Sequence, residues 1–305
     1  MTWIAFFLIA ASTILHASWN LLAKKYHMTL PFYAMIGVTS VMLWGQVQFW
    51  TPVPVWDMPW QFWASLAGSV SSDAILYCCG LVMAYRYMDM SSAYPMMRSL
   101  PILLTVALTA LCGMGRPLNA FVISGMLMVF CGCMCMPLKK FSDFNWKTYL
   151  SKNMFFVILC ASGTTGYTIF DSLCQSIMRQ SVAHLEINKI VLSLSYYSTR
   201  GLVLGSTLVF LSLAIPRQRK HFAEIWKECK WAPVAAGLFA TTTYILVLLA
   251  MNYVDNVSYV QVFRQLGLLV GLFAGIVILK EKGTLPKYIG VALIVSGLIV
   301  SVISN

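Results

Sequence analysis

The sequence predicts an all-α polytopic membrane protein with ten transmembrane helices arranged as two inverted five-helix repeats. Three observations carry that prediction. The 305 residues are 59% hydrophobic and only 10% charged, whereas soluble domains hold about 25% charge. Apolar runs near the ~20 residues needed to cross a bilayer recur along the whole chain. The chain also matches itself when shifted by 166 positions.

The runs fall at 3–23, 31–50, 60–85, 91–112, 117–137, 153–177, 190–214, 232–252, 257–279 and 285–303. The first lacks a basic leader and exceeds the ~7–15 apolar residues of a cleaved signal, so it reads as a retained span. Pro52, Pro54 and Pro59 bracket the second loop, Gly113, Gly115 and Pro117 the fourth, and Gly283 and Pro286 the ninth. Such residues break helices because they lack a side chain or an N–H. Trp50, Trp56, Trp60, Trp63, Trp146, Trp226 and Trp231 sit near span ends, as an aromatic belt does.

Charge is distributed as a topology signal. The loops after spans 1, 3, 5, 7 and 9 hold fifteen of the 21 Lys and Arg, the opposite side holds Arg116, Arg179 and Lys189, and Arg98, Arg200 and Arg264 lie within spans. A nucleic-acid surface would instead gather basic residues on one polar face. By itself the bias places the five basic loops in the cytoplasm and both termini outside. Cysteines 131, 133 and 135 alternate, so successive members point about 200° apart on a helix and cannot converge on one metal. The nine cysteines therefore read as small hydrophobes. Neither Gly-x-Ser-x-Gly nor His-Glu-x-x-His occurs, and His16 is the only histidine in a span. The reading is thus no enzyme, no cofactor and no metal. Filter-like or ring-charge sequences of channels are also missing.

The repeat is carried by polar identities. Residues 81–104 over 247–270 share seven of 24 positions, among them Tyr87/Tyr253, Asp89/Asp255, Ser92/Ser258 and Arg98/Arg264. A further register pairs Gly125 with Gly290 and Gly132 with Gly297, and Asn20 and Asp171 fall at matching depths of the first span of each half. An odd number of spans per half makes the second copy enter from the opposite side. Secondary transporters often have this symmetry, with the ligand site near the midplane between halves.

His16-Ala-Ser-Trp-Asn20, Ala84-Tyr-Arg-Tyr87, Ala250-Met-Asn-Tyr253, Val257-Ser-Tyr-Val-Gln-Val-Phe-Arg264 and Gly290-x-x-Leu-Ile-x-x-Gly297 resemble the drug/metabolite transporter superfamily, in its ten-span EamA type. The resemblance implies EamA-like repeats over 1–145 and 146–305. It also implies a central cavity lined by spans 1, 3, 4, 6, 8 and 9, spans 5 and 10 as a scaffold, and alternating access. Glu281 fits the acidic residue the family places before span 10, whereas Gly113-Met-Gly-Arg-Pro117 lacks its counterpart. Family proteins keep both termini in the cytoplasm, against the loop charges, and orientation stays open. The expected setting is multi-pass in a bacterial inner (cytoplasmic) membrane, as a monomer or weak dimer whose partners are lipid and a small solute.

Ionisable groups inside a span cost at least ~2.5–3.5 kcal/mol at its centre, so they mark function. Arg98 and Arg264 each lie about 11 Å into their spans and approach the midplane from opposite faces. They are candidates for binding an anionic group, or for a fixed ion pair with Asp73 or Asp171. Tyr167, Asp171, Gln175 and Arg179 form one stripe of span 6, and His16, Asn20 and Lys24 one of span 1. Both stripes are expected to line a cavity. Trp19, Tyr77, Tyr94, Tyr244 and Tyr259 are candidate aromatic walls, and Asp73, with His16, a candidate for proton coupling. The arginines favour a carboxylate-bearing or zwitterionic metabolite such as an amino acid. The alternative is an organic cation or quaternary ammonium held by aromatic rings and the two aspartates.

Overall fold

The computed structural model describes residues 2–26, 29–87, 90–114, 118–135, 138–145, 153–270 and 284–303. Helix is the only extended regular structure among them, as a bilayer demands, since a lipid-facing backbone must satisfy its own hydrogen bonds. The first half contains α1 (Trp3–Lys25), α2 (Leu30–Trp44), α3 (Val47–Trp50), α4 (Trp60–Ser71), α5 (Cys78–Tyr87), α6 (Met90–Leu111) and α7 (Ala120–Cys135). The second contains α8 (Met154–Ser181), α9 (Lys189–Ala214), α10 (Pro216–Cys229), α11 (Ala232–Met251), α12 (Ser258–Phe263) and α13 (Leu285–Ile303).

Local chemistry sets several boundaries. Thr29 Oγ1 accepts from Phe32 N at 3.4 Å with Pro31 in the first turn of α2, and Asn188 Oδ1 accepts from Ile190 N at 2.8 Å to start α9. Both side chains satisfy a donor that a helix leaves orphaned at its N-terminus. Among the described residues, five helical stretches are long and apolar enough to cross a membrane: Leu30–Trp50, Trp60–Ala84, Met154–Ser181, Lys189–Ala214 and Ala232–Met251. Shorter apolar helices run over Trp3–Trp19, Met96–Leu111, Ala120–Cys135 and Leu285–Ser301.

Three elements depart from the sequence reading. Residues 216–229, expected as loop, form α10. Its Ile225 and Cys229 are buried with Trp19, Phe32 and Ile36, while Arg217, Arg219, Lys220 and Lys227 are exposed. The third span is continuous but contains a π-helical turn at Ser72–Tyr77, a wider turn than the α-helix. In the ninth span, α12 stops at Phe263, Arg264 and Gln265 form a turn, and helix resumes over 266–270. The bonds there tighten to i→i−3, as in Gln265 N to Val262 O (3.1 Å) and Gly267 N to Arg264 O (3.2 Å). Glu281 lies outside the described residues.

Helix packing joins the halves. α1 lies on α11, α2 on α9, α4 and α6 on α8, α6 on α12, and α7 on α13. In the last pair the main chains nearly touch. A Cβ on Gly125 would stand 2.6 Å from the Gly297 carbonyl, and one on Gly132 2.6 Å from the Gly290 carbonyl. Only glycine permits that approach, which supplies van der Waals contact where lipid offers no hydrophobic drive.

Candidate functional site

A cavity of about 680 Å³ opens among α1, α2, the π turn, α5, α6, α8, α9, α11 and α12. Its lining reaches Thr29, at the start of α2, and Arg86, near the end of α5, so it extends to the end of the bundle where α1 finishes. Lining residues include His16, Trp19, Asp73, Tyr77, Arg98, Tyr167, Tyr244 and Arg264, all expected from the sequence.

The π turn carries Asp73, and across from it α9 carries Arg200. Arg200 Nη2 meets Asp73 Oδ2 at 2.7 Å and its Nε meets Asp171 Oδ1 at 3.1 Å, with all three side chains buried. Asp73 Oδ1 also accepts from Tyr33 Oη at 2.8 Å. Asp171 accepts from Ser69 Oγ, from Tyr196 Oη at 2.5 Å and from Tyr244 Oη. The Ser69 hydroxyl in turn accepts from Arg200 Nε at 3.0 Å. Buried charges persist only when paired and hydrogen-bonded in this way. The guanidinium additionally stacks 4.8 Å from the Tyr244 ring centre and 5.8 Å from that of Tyr167.

This triad corrects two expectations. The aspartates pair with Arg200 rather than with Arg98 or Arg264. Asp171 does not line the cavity: it is fully buried, behind the tyrosine wall and saturated by four donors. Gln175 is likewise buried, with its amide on the Leu248 carbonyl at 3.2 Å. The expected span-6 stripe therefore faces protein below Tyr167. Tyr259 is buried away from the cavity. The side chains of Asn20, Lys24 and Tyr94 lie outside the described residues.

Arg98 and Arg264 line the same cavity. Gln265 Nε2 donates to the Arg98 carbonyl at 3.0 Å, so the broken turn of the ninth span lies against α6. Arg98 Nη2 is 3.6 Å from where a Gly267 Cβ would stand. Arg264 is buried, and its Nη1 has no hydrogen-bond acceptor among the described residues. His16 is within electrostatic reach of both arginines and accepts from Trp19 Nε1 at 3.0 Å. Among the described lining residues, Arg86, Arg98, Arg200 and Arg264 face a single carboxylate, Asp73.

The opposite end of the bundle carries a polar network around Asn252. Its Oδ1 accepts from Arg179 Nη1 at 2.6 Å, and its Nδ2 donates to Ser193 Oγ at 2.7 Å and Gln175 Oε1 at 3.0 Å. Its carbonyl accepts from Lys189 Nζ at 3.3 Å, and that ammonium lies 4.5 Å from the Tyr253 ring centre. Thr2 Oγ1 donates to the Tyr253 carbonyl at 3.1 Å. Tyr33, Tyr196, Tyr197, Gln265 and Asn252 escaped the sequence reading. Only Asn252 carried a signal, as a polar residue beside the repeated Tyr253.

These helices and this cavity describe a multi-pass helical membrane protein. Residues 187–303 match the EamA-like transporter family, which is part of the drug/metabolite transporter superfamily. A solved crystal structure 14% identical in sequence superposes with a TM-score of 0.64 over 98% of each chain, a likeness of fold. No curated protein matches by sequence.

Proposed function

We propose that this chain is a secondary-active transporter that carries a small carboxylate-bearing metabolite by alternating access. The observation that carries the reading is the charge of the cavity: among its described lining residues four arginines face one aspartate, Asp73, which Arg200 and Tyr33 hold, while Arg200 also pairs with Asp171 behind the wall. A low-dielectric recess with that imbalance concentrates anions. Arg98 and Arg264 bind the carboxylate, the second beside a broken helix of the kind transporters place at their sites. Trp19, Tyr77, Tyr167 and Tyr244 form the walls. The organic-cation reading needs the aspartates and the rings, and Arg200 already occupies both.

The ten-span inverted repeat is part of the proposal, and the helix pairs support it. Exchanging the halves turns α1 on α11 into α8 on α4, and maps α2 on α9, α6 on α12 and α7 on α13 onto themselves. Gly125 meeting Gly297 and Gly132 meeting Gly290 is the crossing expected of antiparallel copies. The chain then divides near 145, and the two ends of the bundle are the gates.

Thermal-shift screening of the purified protein against small carboxylates and quaternary ammonium compounds tests the substrate reading. Carboxylates should stabilise the wild type, and Arg264→Gln and Arg98→Gln should each weaken the response at least tenfold, about 1.4 kcal/mol. Stabilisation by ammonium compounds alone would overturn it. Counterflow in liposomes separates a carrier, which saturates, from a channel.

A further inference from the structure

Five tyrosines form an unbroken wall of the cavity. Ring centres step 6.3 Å from Tyr33 to Tyr77, 5.9 Å from Tyr77 to Tyr167, 5.8 Å from Tyr167 to Tyr244 and 6.3 Å from Tyr244 to Tyr197. All five line the space. Three of their hydroxyls are consumed by the protein: Tyr33 on Asp73, Tyr197 with Ser40 Oγ at 2.8 Å, and Tyr244 on Asp171. The wall therefore offers rings to a ligand more than it offers hydroxyls. It ends on the cationic side, because Arg264 lies within electrostatic reach of Tyr77, Tyr167 and Tyr244.

The cation slot of this wall is taken. Arg200 stacks on Tyr244 and Tyr167 and holds both carboxylates. A substrate ammonium would find Asp73 engaged and would add a positive charge to a recess lined by Arg86, Arg98, Arg200 and Arg264. An aromatic ring without an ammonium meets no such penalty and gains edge-to-face contacts.

We infer that the substrate is an aryl carboxylate, a planar ring bearing an acid and no ammonium group, with its ring on the tyrosine wall and its acid at Arg98 and Arg264. This rests on the anion reading of the cavity and narrows it.

Four probes separate the parts: indole-3-acetate, hexanoate, phenylalanine and phenethylamine, each measured by thermal shift and by competition in liposome counterflow. Indole-3-acetate is expected to act at a concentration at least about tenfold lower than phenylalanine, the cost of a like charge near the arginines. It should also act at least about fivefold lower than hexanoate, from ring contacts. Hexanoate equal to indole-3-acetate would overturn the aromatic assignment and leave the anion reading standing. Phenylalanine equal to indole-3-acetate would overturn the exclusion of ammonium and likewise leave a carboxylate site. A response to phenethylamine alone, or to neither carboxylate, would overturn both. Tyr77→Leu should erase the preference for indole-3-acetate over hexanoate while hexanoate still acts. Tyr167→Leu provides the same test should the first variant not fold, and a preference kept in a folded variant refutes the wall's role.

Discussion

Replacing Arg200 by methionine removes the one cation from a buried cluster of two carboxylates, and the structure says which of them suffers. The Arg200, Asp73 and Asp171 side chains are 4%, 7% and 0% exposed. Without the guanidinium, Asp171 still accepts from Ser69, Tyr196 and Tyr244, whereas Asp73 keeps only Tyr33. Breaking a buried pair by deleting one partner costs about 3–5 kcal/mol, because the survivor stays charged and desolvated. At about 2 °C per kcal/mol for a chain of this size, the melting temperature should fall by roughly 6–10 °C. Adding Asp73→Asn should recover most of that loss, and adding Asp171→Asn much less. The assay is thermal unfolding in detergent of the single variant and the two double variants. A fall under about 1 kcal/mol, or a better rescue by Asp171→Asn, would refute the account of which carboxylate depends on Arg200.

Other expectations test separate parts of the molecule. Gly132→Ala places a Cβ 2.6 Å from the Gly290 carbonyl and 2.8 Å from Ile294 Cγ1, so it should destabilise by about 1–3 kcal/mol; an unchanged melting temperature would mean the α7–α13 approach is looser than described. Asn252→Ala removes the bonds to Arg179, Ser193 and Gln175. In a cysteine-free background with Thr241→Cys in the cavity, it should raise thiol labelling from the Asn252 end. Labelling that stays confined to the Thr29 and Arg86 end would deny the network a closing role. If Asp73 carries a coupling proton, Asp73→Asn abolishes the response of transport to a pH gradient, and an unaltered response sinks that role.

The membrane class was legible because it depends on composition and run length, which no tertiary contact alters. That Arg98 and Arg264 share the cavity was legible for another reason: both stand in a repeated polar frame, and repetition encodes proximity without coordinates. Arg200 lacked such help. Its partners come from the third and sixth spans, and nothing along the chain reveals which helix faces which. The tyrosine wall was half visible for the same cause, Tyr77, Tyr167 and Tyr244 being placed by span and Tyr33 and Tyr197 only by packing of α2 on α9. Asp171 misled because a four-residue stripe predicts a shared face but not whether that face meets water or protein. Helix α10 was hidden by its charged residues, which mask the buried Ile225 and Cys229 until a neighbouring surface is known.

The crossing of α7 and α13 leaves almost no atoms between the two main chains at Gly125 and Gly132. Backbones in such contact cannot tilt or slide past each other without collision. Main chains come as close where Gly80 faces Cys160 and where Gly163 faces Tyr77, whereas α6 meets α12 partly through a hydroxyl bond that can be exchanged, Thr109 with Ser258 (3.1 Å). The glycine crossing of α7 and α13, and the one that joins the third and sixth spans, therefore resist shear, and sliding of one helix past another is cheapest where side chains alone intervene.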